Sequence, residues 1–151
     1  MLGFDHVASW GPVWQKAIDV AYGPPNDRVR TGLAHQTLGT TEKQYVEVPY
    51  QYDDAYEPPA SFSVSQALHD KLQADFWNVS YRLEIQGGET LEGDHLGGIV
   101  SRKTFNRVGI HDRAQVYEWD GQVHTLRTAD RTPKFEETEL SRYDAEALPG
   151  R

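Results

Sequence analysis

The sharpest pattern along the chain is strict alternation of apolar and polar positions. Val79, Tyr81, Leu83 and Ile85 alternate with Ser80, Arg82, Glu84 and Gln86, which predicts a strand with one face buried and the other wet. A second β signal lies downstream. Ala114–Trp119 and Gln122–Arg127 are separated by Asp120-Gly121, the dipeptide that best supplies a type I′ turn, so these runs predict a hairpin. A two-residue loop sets Tyr117 opposite His124 and Val116 opposite Thr125. The faces of this hairpin are mixed, with Tyr117, Trp119 and Leu126 on one and Val116 and Val123 on the other, as in strands covered on both sides. Lys43–Val48 is a further strand, closed or marked as an edge by Pro49. Ile99–Val108 reads as another, reached through a glycine-rich loop from Gly87 to Gly98.

Two segments carry the helical period instead. Trp14, Ala17, Ile18 and Ala21 fall at i, i+3, i+4 and i+7 and predict a helix from about Pro12 to Tyr22. Pro12 suits its first position, and Gly23 supplies a left-handed cap before Pro24-Pro25. Leu68, Leu72 and Phe76 predict a second helix over Val64–Phe76, with Ser63 and Gln66 as a capping box and Ser65 as the alternative cap. Between these elements a Tyr/Pro-rich loop spans residues 49–62, its tyrosines either packed against the domain or turned to a partner, and an acidic tail of one helical turn or none spans 133–151. The order of elements predicts a single α+β domain over residues 1–151. Its body is a mainly antiparallel β-sheet or small partly closed β-barrel with two short amphipathic helices packed on it.

A length of 151 residues suits one domain that needs neither a disulfide nor a metal to fold. With no cysteine, disulfide frameworks, Cys-ligated zinc and thiol catalysis are excluded. The net charge of −8 disfavours a generic binder of phosphate backbones, so no direct nucleic-acid partner is expected. The acidic residues are clustered. Glu136, Glu137, Glu139, Asp144 and Glu146 crowd the tail, and Asp53, Asp54 and Glu57 form a second knot, which suits either solubility or docking onto a basic surface. No basic N-terminal region precedes an apolar run, and no 18 apolar residues run together. A soluble chain of cytoplasmic synthesis, with no membrane partner, is the expectation.

Candidate chemistry is sparse. Glu92, Asp94 and His95 could hold a divalent metal, although the glycines around them equally serve a chain reversal with polar side chains in solvent. His111 and Asp112 are adjacent, and neighbours on a strand point to opposite faces, so they are not a natural base pair of residues for catalysis. His124, opposite Tyr117, reads as a packed strand residue. Asp53 and Asp54 are a carboxylate pair of the sort any acidic chain offers. No serine sits on a strand–turn–helix elbow, and the glycines of 87–98 lack the Gly-Lys-Ser/Thr of a phosphate loop. The residues therefore assign no catalytic group, no cofactor and no metal.

The stretch from Val108 to Leu126, with its strand–Asp120-Gly121–strand core, resembles the closing hairpin of small head–tail joining proteins of tailed phages. The early helix and the order of elements agree with that family, while Val123 and His124 stand where its hairpins often carry an aromatic. The resemblance implies a virion structural protein. Such a protein forms a homo-oligomeric ring in the neck and seats against neighbouring portal or tail proteins, without enzymatic activity. Tyr50, Tyr52, Tyr56, Tyr117 and Trp119 are then the expected aromatic anchors, and Glu136 and Glu137 the acidic residues that select a basic neighbour. An acidic inhibitor or immunity-type binding protein and a small metal-dependent hydrolase are the rival expectations.

Overall fold

A strand occupies the centre of the molecule where the helical period predicted a helix. The computed structural model describes residues 9–39, 42–86, 95–110, 112–119, 122–129 and 135–151, with 9, 10, 95, 96, 116–119 and 122–129 described through their backbone. Its first element is β1, Ser9–Tyr22. This strand pairs antiparallel with three others, β2 (Val29–Leu38), β6 (Asn78–Gln86) and β8 (Arg113–Trp119). Being covered on both faces, it buries Val13, Lys16, Ala17, Ile18, Val20, Ala21 and Tyr22 almost without a break. Register shifts at Val13/Gln15 and Ile18/Asp19 further disturb the period of two, which is how a helical spacing arose by coincidence. Gly23 does adopt the left-handed conformation, at φ 98°, but at a turn that ends a strand.

β3 (Lys43–Pro49) matches the predicted strand and lies inside the sheet, between β2 and β10 (Glu137–Tyr143). The order is β10-β3-β2-β1-β6-β7, with β8 on β1 and β9 (Gln122–Ala129) on β8, eight strands among the described residues. The β3–β10 ladder is parallel and the rest antiparallel. β7 (His95–Val100) lies against β9, and among the described residues no ladder joins them, so the sheet curls and stays open. The fold is α+β, mostly antiparallel, with short helices on the inner face.

The predicted hairpin is present as β8–β9, with Tyr117 opposite His124 and Val116 opposite Thr125; the turn residues 120 and 121 lie outside the described set. β6 alternates as expected, burying Tyr81, Leu83 and Ile85. Other expectations are corrected. The 99–108 segment is a strand only to Val100, after which Arg102–Arg107 forms α2. Ser101 caps α2 by accepting from the Thr104 amide at 3.1 Å, and Phe105 anchors it in the core. Gly97 and Gly98 belong to β7, because a Cβ on Gly97 would lie 2.5 Å from Oε1 of its cross-strand partner Glu84.

The Tyr/Pro-rich segment opens with a 3-10 helix, Tyr50–Ala55, followed by a two-stranded hairpin of β4 (Tyr56–Glu57) and β5 (Ser61–Phe62). The acidic tail supplies β10 and a 3-10 turn at Ala145–Ala147. The second predicted helix appears as α1, Gln66–Asp75, and Ser65 is its cap, accepting from the Leu68 amide at 3.1 Å. Leu68 and Leu72 of α1, Phe105 of α2, and Phe62 and Phe76 close the core over the sheet. The Phe105 ring lies 5.2 Å from Tyr81 and 5.9 Å from Phe62, centroid to centroid.

Candidate functional site

Among the described residues, three polar side chains stand on the apolar face of the sheet. With β1, β2 and β3 read as strands, Lys16 shares a face with Ile18 and Val20, Gln36 with Ala34, and Gln44 with Val46 and Val48. Lys16 is 1% exposed, and Gln36 and Gln44 are fully enclosed. Lys16 and Gln36 face each other across the β1–β2 ladder. Their donors converge on one short stretch of backbone. Lys16 Nζ donates to the Phe62 carbonyl, Gln36 Nε2 to Ala60 at 3.1 Å, and Gln44 Nε2 to Pro59. Gln36 Nε2 also donates to Gln44 Oε1 at 2.7 Å, and the Tyr56 hydroxyl donates to the Pro59 carbonyl at 2.9 Å. Thr138 of β10 completes the set, its Oγ1 lying 3.0 Å from Gln44 Nε2. A row of side chains thus clasps the β4–β5 hairpin to the sheet.

Lys16 is electrostatically unusual within this row. Burial pulls its pKa down from 10.5 to about 7, and the Asp112 carboxylate opposes that shift without cancelling it. The ammonium lies 4.4 Å from the centroid of the Phe105 ring, a weak substitute for water. Asp112 is itself buried, and its Oδ2 accepts from the Gly109 amide at 2.7 Å. Enclosed in this way, Lys16 can hold a proton and a carbonyl but meets no external reactant.

The expected interaction residues fall in different places. Tyr50 is exposed, whereas Tyr52 and Tyr56 are core residues, so the loop presents one of its three tyrosines rather than all. The Tyr52 hydroxyl donates to Asp75 at 2.6 Å and its ring packs 5.8 Å from Phe76; burial and that carboxylate hold its pKa far above the usual value. The backbones of Tyr117 and Trp119 lie in β8, opposite His124 and Gln122, and their side chains lie outside the described set. Glu136 and Glu137 are exposed beside β3, and both amides donate to the Glu42 carbonyl. Asp53 reaches Arg142 of β10 at 3.7 Å, so the second acidic knot helps hold the tail.

Of the candidate metal residues, Glu92, Asp94 and His111 lie outside the described residues, and His95 opens β7 with its side chain outside them. Among the described residues no three His, Asp or Glu side chains gather to hold a metal. His69 of α1 leans on the Tyr81 ring and hydrogen-bonds its hydroxyl. The outer sheet face carries a bridge in which Arg82 Nε meets Asp19 at 2.9 Å and Arg82 NH1 meets Glu84 at 2.7 Å.

β10 forms one border of the sheet. Its Glu137, Thr138, Glu139, Ser141 and Arg142 are exposed, while Leu140 and Tyr143 pack against the core. The Tyr143 hydroxyl donates to the Leu33 carbonyl, and burial pushes its pKa up to about 12. Further along, Gln51 Nε2 donates to Asp144 Oδ1 at 2.8 Å and the Ala145 amide to Gln51 Oε1 at 3.0 Å.

Lys16 is hidden by the helical spacing of residues 12–22, Gln36 lies on a strand, β2, that the sequence pattern does not announce, and Gln44 stands unremarked on the predicted strand Lys43–Val48. The signal was present: with a period of two, each is a polar residue on an otherwise apolar face. No protein-family model, curated protein or solved structure matches this chain.

Proposed function

We propose that the chain is a non-enzymatic structural subunit of a multi-protein assembly, of the kind that joins head to tail in tailed phages. In this role it forms a homo-oligomeric ring, seats against neighbouring assembly proteins and resides in the virion. The observation that carries the reading is the edge formed by β10. Seven residues long, it pairs with β3 alone among the described residues, and an edge of that length is a template for a strand of another chain.

The charge of this edge sets the kind of contact. Glu137 and Glu139 project from β10 with Glu136 beside them, so two copies meeting β10 to β10 place acid against acid. Head-to-tail contacts between different surfaces avoid that repulsion, and they are the contacts that close rings. Exposed Tyr50, Trp77 and Ile99 add apolar anchors, Trp77 beneath the Arg28 guanidinium at 4.4 Å.

Native mass and negative-stain images test the reading. A ring of several copies, or co-assembly with virion proteins, is the expected result. A monomer at every concentration that binds no virion component overturns it. A salt-sensitive one-to-one complex with a single basic protein would also overturn it, in favour of an inhibitor-type binder.

A further inference from the structure

The β4–β5 hairpin belongs to neither border of the main sheet. Its two strands are two residues long and pair only with each other among the described residues. Glu57, Pro58, Pro59 and Ser61 are exposed, whereas the carbonyls of Pro59, Ala60 and Phe62 turn inward to Gln44, Gln36 and Lys16. Side-chain hydrogen bonds and the buried Tyr56 and Phe62 rings, rather than a backbone ladder, therefore hold this hairpin to the sheet. Such bonds can part without breaking β1, β2 or β3, whose ladders run beneath them.

We propose that Tyr56–Phe62 is a releasable strap, clasped by Lys16, Gln36 and Gln44, and that protonation of Lys16 loosens it. The strap and α2 stand between the ammonium and water, through the Phe62 carbonyl and the Phe105 ring. Phe62 of the strap and Phe105 of α2 are both buried in the core, and α2 is tied further by Asn106, which bonds both the amide and the carbonyl of Val64, at 2.7 and 2.8 Å. Lifting the strap is thus the easier route to hydration of Nζ. The charged group acting on Lys16 is Asp112, from the segment preceding β8. Among the described residues its other neighbours carry no charge: Phe62 of the strap, Phe105 of α2, and the cross-strand partners Gln36 of β2 and Leu83 of β6.

The direction follows from proton linkage. The closed strap holds Lys16 with a pKa of about 7, and an opened strap returns it toward 10.5, so the open form binds the extra proton between those values. Opening therefore grows as the pH falls through that window, by up to about tenfold per pH unit, and levels off below it. The strap is tightest in alkali. This device stands on the geometry of the clasp and is independent of the assembly reading.

The test is residue-resolved amide exchange on the full chain at pH 7.5 and 8.5, with intrinsic rates divided out, beside a 13C-detected titration of the lysine side chains. The expected result is that protection of the strap amides and of Ser63, whose amide bonds Ala55 at its base, rises by up to about tenfold at the higher pH. The β1–β6 ladder shows no such step, and Lys16 titrates apart from the other lysines. In Lys16→Met the step disappears. Flat strap protection in the native chain overturns the proposal, as does a Lys16 that titrates with the other lysines; both readouts hold even if the variant does not fold.

Discussion

Lys16 Nζ donates a hydrogen bond to the carbonyl of Phe62, 46 positions along the chain, from a site where the lysine is 1% exposed. An ammonium held there must shed its water, and the single carbonyl, one aromatic face and Asp112 do not replace it. This residue couples folding of the domain to pH.

Between pH 7 and 10.5 the unfolded chain binds a proton at Lys16 that the folded chain releases. Folding stability therefore rises with pH through that window, by up to ~1.4 kcal/mol per unit from this group, and is independent of it below pH 7. Urea denaturation at pH 7.5, 8.5 and 9.5 measures the slope. Lys16→Met should flatten it, and a variant that keeps the native slope would assign the effect elsewhere.

Two glycines in the sheet make a controlled pair. A Cβ on Gly11 would stand 2.1 Å from the Gln86 carbonyl oxygen, which is backbone, so β1 and β6 must part to admit it. Gly11→Ala should cost about 3 kcal/mol. A Cβ on Gly97 meets the mobile end of Glu84 at 2.5 Å, and the carboxylate can swing away from Arg82. Gly97→Ala should cost ~1 kcal/mol or less, as expected for a solvent-screened pair. Thermal or urea unfolding of both variants checks the ranking, and equal losses would contradict the packing described for β7.

What the sequence made legible was local. β6 and the β8–β9 register follow from alternation and from turn chemistry at Asp120-Gly121, both visible within ten residues. β1 was illegible because a central strand hides its period when both faces are covered and two register shifts intervene. α2, at six residues, is too short to display a helical period, and its capping serine was the clue. β10 has no local signal at all, since its partner Lys43–Pro49 lies in the first third of the chain. Loop composition leaves Tyr50, Tyr52 and Tyr56 open between packing against the domain and facing a partner; the 3-10 helix and the β4–β5 hairpin turn Tyr52 and Tyr56 inward, and Tyr50 alone of the three is exposed.

Tyr143→Phe isolates the docking of the tail. The hydroxyl is the group that ties β10 to β2 through the Leu33 carbonyl, and its loss leaves a partly buried acceptor unmade. The expected cost is ~1–2 kcal/mol, with faster amide exchange across β10 and unchanged exchange in β6. Unchanged β10 protection would mean that the Val46–Leu140 stretch of the parallel ladder holds the tail by itself.

Charge reversal at the sheet border separates folding from assembly. Glu139→Lys combined with Glu137→Lys alters two exposed side chains of β10, with Lys43 of β3 lying 3.8 Å from Glu137. Surface charges of this kind contribute little to folding, so the unfolding midpoint should stay close to that of the native chain. If β10 receives a basic strand, the variant should lose assembly, and the native contact should weaken steeply with added salt. Assembly that survives the reversal with its salt dependence intact would move the interface away from β10, toward the hairpin or the face bearing Tyr50. Either outcome can be read directly from native mass spectra of the two proteins at two ionic strengths.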